Sequence, residues 1–271
     1  MMKNLLYVFL CILACTCNPS NKDVEDQNFN EINNLEGQFA VAKGSDFFYC
    51  VCDASTSKGL SWDYPIKPGS EEWKQLQSHL HKVFSCLIPN VLLPSLSTAE
   101  LTAICLQYPL LFNILAFNDI NQGFDTAIEE FNGLKELFNR ADVSTELLKW
   151  YNCQIKNFSL LTDEMVNDFD KVSFMTSLSL LEILLTRVED KYKEVLQSLV
   201  DGYERKLEYE HFFSGKNMNI NYFSRAHIIL NFGEQYLLEI LGLSSSSYFG
   251  VTVVPQETKD AINRLSYQLK Q

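Results

Sequence analysis

The stretch that decides the fold class runs from Val172 to Val188 and reads VSFMTSLSLLEILLTRV. Its apolar side chains recur at three- and four-residue steps, which is the period of an α-helix. More apolar residues flank this stripe, so the hydrophobic face covers an unusually large part of the helix circumference. A helix of this kind is normally packed between neighbours rather than laid on a surface. The stretch therefore predicts a buried helix inside an all-α protein.

Helical spacing predicts more helices on both sides of this stretch. Two of them begin with N-cap residues: Ser70, which is followed by acids in the first turn, and Ser97, which forms a capping box with Glu100. The patterns cover 70–87, 97–107, 124–138, 142–151, 192–207, 223–240 and 255–269, with a loop at 214–217 and a β-like patch at 251–254. Seven to nine packed helices without a fixed repeat predict an irregular α-helical array.

The pattern over 124–138 crosses a glycine, Gly133. The apolar residues before and after this glycine keep a single helical face, which a break in the helix would destroy. A left-handed glycine cap would instead reset the phase of the pattern. We therefore predict one continuous helix through Gly133.

Composition narrows the function classes. The 271-residue chain has 34 acidic and 22 basic side chains, a net charge of −12 and 46% hydrophobic residues, enough for a sizeable core. Neutralising phosphates needs clustered Lys and Arg, so this balance argues against a nucleic-acid partner. The chain has only 11 Gly and 7 Pro, which disfavours a Gly-rich barrel or sandwich and a disordered chain.

The N-terminus is typical of a lipoprotein signal peptide. Lys3 precedes an apolar run over 5–13, which is too short to span a bilayer. The run ends in an aliphatic residue, a tolerant position and a small residue before Cys15, an order that resembles the bacterial lipobox. Cys15 is the predicted lipidation site, and Cys17 fits less well because Thr16 occupies the small-residue position. An ordinary secretory signal with incidental cysteines is the alternative interpretation.

These features divide the chain into four segments. Residues 1–14 are the predicted signal peptide, and 15–38 are a lipidated flexible tether, because this polar segment cannot bury enough apolar area to offset ordering entropy. Residues 39–69 are expected to form an irregular docked arm, and 70–271 the helical domain. An acidic cluster at 22–26 is similar to the export signals of some outer-membrane lipoproteins, although a solvated linker has the same composition.

Two further stretches are distinctive: SWDYPIKPGSEEW at 61–73 and LSTAELTAICLQYPLL at 96–111. Both resemble motifs of a family of uncharacterised, lipobox-bearing helical lipoproteins of Gram-negative gut-type bacteria. The resemblance extends more loosely through 131–133 to the long helices and leaves out the last part of the chain. It implies a membrane-anchored address and a helical fold, and it carries no known activity and no catalytic residue.

Cys86 and Cys105 are the predicted disulfide pair in the exported part of the chain. They lie near the end of the first helix and late in the second, joined by a Pro-rich turn. Antiparallel packing of these helices would bring the Cα atoms to the roughly 4.4–6.8 Å that a disulfide requires. An oxidising compartment permits the bond. Two buried free thiols are the alternative, since cysteine is among the most buried residue types.

A zinc site is weakly indicated and is not predicted. Its ligands would be Cys50, Cys52, His79 and His81, because thiolate and imidazole are the ligands that zinc prefers. Residues two apart on a helix point in nearly opposite directions, however, so the two histidines cannot face one metal.

The sequence indicates catalytic residues no more strongly than it indicates a zinc site. Cys153 with His211 or His227 would suit a thiol hydrolase, but no family signature surrounds them. Neighbouring acids occur at 129–130, 163–164 and 168–170. Such acids could support glycosidase chemistry, although solvated helix faces explain them equally well. No phosphate loop, H-E-x-x-H or G-x-S-x-G motif is present. We therefore predict no catalytic residue, metal or cofactor.

The sequence thus predicts a lipid-anchored cell-envelope protein on the periplasmic or surface face of a bacterial outer membrane. Its expected role is a helical binding or scaffolding module for envelope proteins or glycans. Trp62, Tyr64 and Trp73 are the predicted partner contacts, because aromatic anchors dominate binding surfaces. The same three side chains would equally serve to dock the arm onto the first helix. The alternative function is an envelope hydrolase of glycans or peptides, using carboxylates in a groove between helices.

Overall fold

The computed structural model describes residues 61–117, 119–164, 166, 168–213, 215–232 and 256–269. This part of the chain is helical and contains no strand. Its ten α-helices are α1 Glu71–Gln75, α2 His79–Ser85, α3 Thr98–Leu106, α4 Ile120–Glu130, α5 Asn132–Phe138, α6 Val143–Lys156, α7 Asp168–Leu185, α8 Tyr192–Glu208, α9 Gly215–Phe232 and α10 Gln256–Leu269. Short 3-10 helices cover Leu93–Ser95, Leu111–Ala116 and Phe158–Leu161. The all-α prediction is confirmed.

Four helices close a ring around the main buried region. Helix α7 packs against α6 and α9, and α8 packs against the same two helices from the other side. On the outside of this ring, α10 lies on α8 and α9, while α3 lies on α6 and is itself covered by α5. The wide apolar stripe of the sequence therefore belongs to a ring helix: Leu178, Leu181 and Leu184 are each 0% exposed.

The helix predicted over 70–87 is two helices, so that prediction is wrong in its continuity. Helix α1 ends after one turn at Gln75, and Leu76 takes an extended conformation with ψ 104°. Ser78 then begins α2, its hydroxyl accepting a hydrogen bond from the His81 backbone N–H at 3.1 Å. A second N-cap inside an apolar pattern restarts the helix in a new direction.

The continuous helix predicted over 124–138 is also divided, but the break is not at the glycine. Phe131 is extended, with φ −116° and ψ 110°, and separates α4 from α5. The Phe131 ring stacks on Tyr108 with centroids 4.1 Å apart. The Asn132 side chain accepts a hydrogen bond from the Ile88 backbone N–H at 3.0 Å and donates one to the Ile88 carbonyl at 2.7 Å. The packing of the Phe131 ring and the two hydrogen bonds of Asn132 compensate for the helical hydrogen bonds that the break removes.

The described end of the arm is docked on α3. The Tyr64 hydroxyl donates to the Ile104 carbonyl at 2.9 Å, and the Trp62 ring meets the Tyr64 ring edge-on at 4.5 Å. The Ser61 hydroxyl donates to Glu100 at 2.8 Å. Glu100 also completes the predicted capping box of α3 with Ser97, which is confirmed.

Of the predictions near the C-terminus, one is wrong and one is confirmed. The loop predicted at 214–217 is wrong, because α9 already begins at Gly215. The last predicted helix is confirmed as α10, Gln256–Leu269, whereas the β-like patch at 251–254 lies outside the described residues. None of the described helices combines the length and the apolar character that a membrane span requires.

Candidate functional site

The candidate site is an ion pair in the centre of the four-helix ring. Lys206 of α8 donates to Glu182 of α7, with Nζ and Oε2 separated by 2.7 Å. Both side chains are 0% exposed. Removing two charges from water is costly, and such a pair persists only when its remaining hydrogen-bonding positions are also satisfied.

The other two ring helices supply the partners of Glu182. The Tyr151 hydroxyl of α6 and the Asn221 amide of α9 both donate to Glu182 Oε1, each at 2.8 Å. Asn221 also donates to the Leu199 carbonyl of α8 at 3.0 Å. One carboxylate is thus bound by three donors from three different helices, and it fixes all four ring helices in position.

A glycine makes room for this arrangement. A Cβ on Gly202 of α8 would lie 1.9 Å from the Tyr151 hydroxyl oxygen, so any side chain there would displace the tyrosine from Glu182. The lysine is completed by a second acceptor, the Asn217 carbonyl at 3.2 Å. The Asn217 amide in turn donates to the Ser179 hydroxyl at 3.0 Å.

The electrostatics of the centre favour a permanent ion pair over acid–base chemistry. Burial lowers the pKa of Lys206, and the adjacent Glu182 carboxylate opposes that shift. Burial also raises the pKa of the Tyr151 phenol well above its ordinary value, and the Glu182 charge adds to that shift. Tyr151 therefore stays a neutral donor, and Glu182 is occupied as an acceptor on both oxygens.

A second buried cation lies next to this centre. The Arg225 side chain of α9 is fully buried, and its guanidinium carbon is 4.4 Å from the ring centroid of Tyr203 and 4.9 Å from that of Tyr222. Arg225 Nη1 donates to Asn263 Oδ1 of α10 at 2.9 Å. The two tyrosine hydroxyls are 2.5 Å apart, so one donates to the other.

Sequence reasoning missed these residues, although a signal was present. Glu182 is the one acid inside the apolar stripe of 172–188, and a charge at such a position has to be paired inside the core. Lys206 lies one turn beyond Tyr203 and Gly202 on α8, which places it on the helix face that turns inward. Pairing Glu182 with Lys206 specifically required the three-dimensional structure.

The three aromatic residues predicted as partner contacts do not form one exposed surface. Trp62 and Tyr64 are each only 4% exposed, because both rings pack into the core beside α3. The expectation that these two side chains are available to a partner is corrected: they dock the arm. Trp73 remains half-buried on α1, with the Lys82 ammonium 5.6 Å from its ring centroid.

The structure has Cys86 and Cys105 as free, buried thiols, in place of the predicted disulfide between them. Helix α3 packs along α5 and α6 rather than forming the expected antiparallel pair with the helix that carries Cys86. Burial raises the pKa of Cys86 to about 11 and raises that of Cys105 well above its ordinary value. Neither thiol is therefore a nucleophile near neutral pH.

Cys153 is disulfide-bonded, so it cannot act as the thiol of a hydrolase. Cys86 and Cys105 are free, so neither of them is its partner. Of the two histidines considered as partners of Cys153 in a hydrolase, His211 is exposed and His227 is buried.

The remaining candidates form no metal or catalytic centre within the described ranges. His79 faces Glu130, with Nε2 3.0 Å from both carboxylate oxygens, while His81 is exposed. Glu129, Asp163 and Glu164 are also exposed. The described part of the chain contains no group of three or more His, Cys, Asp or Glu side chains that could hold a metal ion. Cys15, Cys50 and Cys52 lie outside the described residues.

Comparison of the chain with protein-family models, with curated proteins and with solved structures finds no match in any of the three.

Proposed function

We propose that the protein is a lipid-anchored cell-envelope module that binds or scaffolds other envelope components, and that Cys15 carries the lipid. The observation that carries this proposal is that Glu182 and Lys206, inside the helix ring, are paired with each other and shielded from solvent. Glu182 and Lys206, the acid and base that chemistry inside the ring would need, neutralise each other and are 0% exposed. An acid and a base so engaged hold helices together, which leaves function to the surface.

The disulfide of Cys153 supports an exported location. Disulfides persist in oxidising compartments such as the periplasm and the cell surface, and they are rare in the cytosol. A signal peptide over 1–14, directly before Cys15, would deliver the chain to such a compartment.

The surface around α1 and α2 is the proposed contact region. Leu80 on α2 is 52% exposed, and Val91 in the following turn is 72% exposed. Trp73 lies half-buried on the adjacent α1. Apolar side chains that remain in water on a docked, N-terminal part of the fold are suited to a protein partner.

Site-specific photo-crosslinking in intact membranes tests the contact region. A photoreactive amino acid at position 80 or 91 should yield discrete crosslinked species, whereas the same group at position 207 should not. Leu207 is a matched control, because it is 47% exposed but lies on α8. Equal crosslinking at all three positions, or none at any, would contradict the assignment of this surface.

The lipid anchor has a separate test. Metabolic labelling with a fatty-acid analogue should mark the wild-type chain and leave Cys15→Ala unlabelled. A label that persists in Cys15→Ala and disappears in Cys17→Ala would move the lipidation site. Two or three acyl chains suffice for stable anchoring, since each buried CH₂ contributes about 0.8 kcal/mol.

A further inference from the structure

Arg225 is a buried cation that forms no ion pair with a carboxylate among the described residues. Arg187 provides the comparison: its guanidinium also lies over an aromatic ring, that of Phe124 at 4.5 Å, but it is paired with Asp125 at 3.2 Å. Arg225 has two such rings and no acid within ion-pair distance among the described residues. With Glu182 balanced by Lys206, the described interior between α7, α8 and α9 holds one positive charge in excess.

Two of the three Arg225 side-chain nitrogen atoms are also unpaired among the described residues. Nε and Nη2 are buried and have no hydrogen-bond partner in the part of the chain that the structure describes, while Nη1 donates to Asn263. Ser266 is 0% exposed on α10, and its hydroxyl likewise has no hydrogen-bond partner within the described ranges. Ser266 follows Asn263 by three residues, so it lies on the same face of α10, one turn further along.

We propose that α8, α9 and α10 enclose a binding site for one small monovalent anion of halide size, held by Arg225 and Ser266. An anion there would accept hydrogen bonds from the free guanidinium N–H groups and would balance the excess charge. The enclosure restricts the ligand, because Arg225 and Ser266 are completely buried.

Water is the competing occupant. The side-chain oxygen of Asn221, one turn before Arg225 on α9, has no hydrogen-bond partner among the described residues, and a water molecule could join that acceptor to the arginine donors. A water leaves the buried charge unbalanced, whereas an anion removes the imbalance. The two occupants differ in whether stability depends on the anion in solution.

Thermal unfolding of the mature protein at constant ionic strength, with chloride replacing gluconate, tests the site. A ligand that binds only the folded state at 100 times its dissociation constant raises the midpoint by about 5–10 °C in a protein of this size. Wild type and Arg187→Met should both show a saturable rise with chloride, and Arg225→Met should not. Equal responses in Arg225→Met and wild type, or no preference of wild type for chloride, would overturn the proposal.

A second measurement needs no variant at Arg225, whose replacement could prevent folding. Crystals of the wild-type protein grown with bromide should show an anomalous peak beside Arg225 and Ser266, and Ser266→Ala should weaken the chloride response. Absence of bromide from this position would assign it to water and refute the anion site. The result is independent of whether the protein is a binding module.

Discussion

At the scale of single residues, the Glu182–Lys206 pair makes a prediction about additivity. Either Glu182→Leu or Lys206→Met leaves one charge buried alone and should lower the free energy of unfolding by about 3–5 kcal/mol. The double variant buries no ionic group at this position and should lose less than the sum of the two single losses. Chemical denaturation of the four proteins measures the coupling. Additive losses would show that the two charges do not interact.

Gly202 makes a steric prediction at the same scale. Gly202→Ala places a methyl group 1.9 Å from the Tyr151 hydroxyl and should destabilise the protein by about 1–3 kcal/mol, because Tyr151 has to leave Glu182. Gly215→Ala is the matched control, since a Cβ there meets nothing within 4 Å. Denaturant midpoints of both variants check the contrast. A neutral Gly202→Ala would mean that Tyr151 moves freely and does not hold the ring.

At the scale of helices, the joint between α4 and α5 makes the next prediction. Gly133→Ala would bring a Cβ to 2.5 Å from the Phe131 ring and 2.9 Å from the Ile88 side chain, so it should cost about 1–3 kcal/mol. Replacing a glycine inside a helix with alanine normally stabilises a protein. At this joint we therefore expect Gly133→Ala to destabilise the protein, whereas a continuous helix predicts stabilisation. A stabilised Gly133→Ala, measured by thermal unfolding, would contradict the tight packing of Phe131.

A histidine links α2 to the end of α4 and gives a pH dependence. The hydrogen bond to Glu130 raises the pKa of His79 above its ordinary 6.5, against the effect of burial. A raised folded-state pKa stabilises the protein fully below pH 6.5, and this stabilisation is lost as the pH rises through the raised value. Because both side chains are partly exposed, the effect should be about 0.2–1 kcal/mol. Denaturation at several pH values should show this loss in wild type but not in His79→Gln.

The helices were predictable from the sequence where local signals agree, and their joints were not. Ser97 and Glu100 define the start of α3 through side-chain chemistry that is visible in the sequence. Phe131 interrupts a helical pattern because its ring stacks on Tyr108, which is remote in sequence. Asn132 likewise depends on Ile88. Sequence periodicity does not contain such tertiary contacts, so it predicted one helix where the structure has two.

The candidate site was less accessible to prediction than the fold. A lone Glu182 in an apolar stripe indicates a buried partner, but candidate lysines and arginines occur on several helices. The choice of Lys206 depends on the order in which α6, α7, α8 and α9 close their ring. The exposure of Trp62 and Tyr64 was misjudged for the same reason, because the position of the arm on α3 is a tertiary feature.

At the scale of the whole molecule, the disulfide of Cys153 makes a covalent prediction. Because Cys86 and Cys105 are free, the possible partners are the other cysteines of the sequence. Mass spectrometry of an unreduced digest should find the Cys153 peptide linked to one of these partners. Reduction should lower the free energy of unfolding by about 2–5 kcal/mol. A Cys153 that is alkylated without reduction would contradict the bond.

That same bond determines where mechanical load enters the fold. If the N-terminus were held in place and a binding protein pulled on the molecule, tension would pass along the covalent bonds of the chain. Tension that enters through this disulfide reaches α6 at Cys153. Helix α6 carries Tyr151, two residues before Cys153, so the pull arrives beside the Glu182 centre.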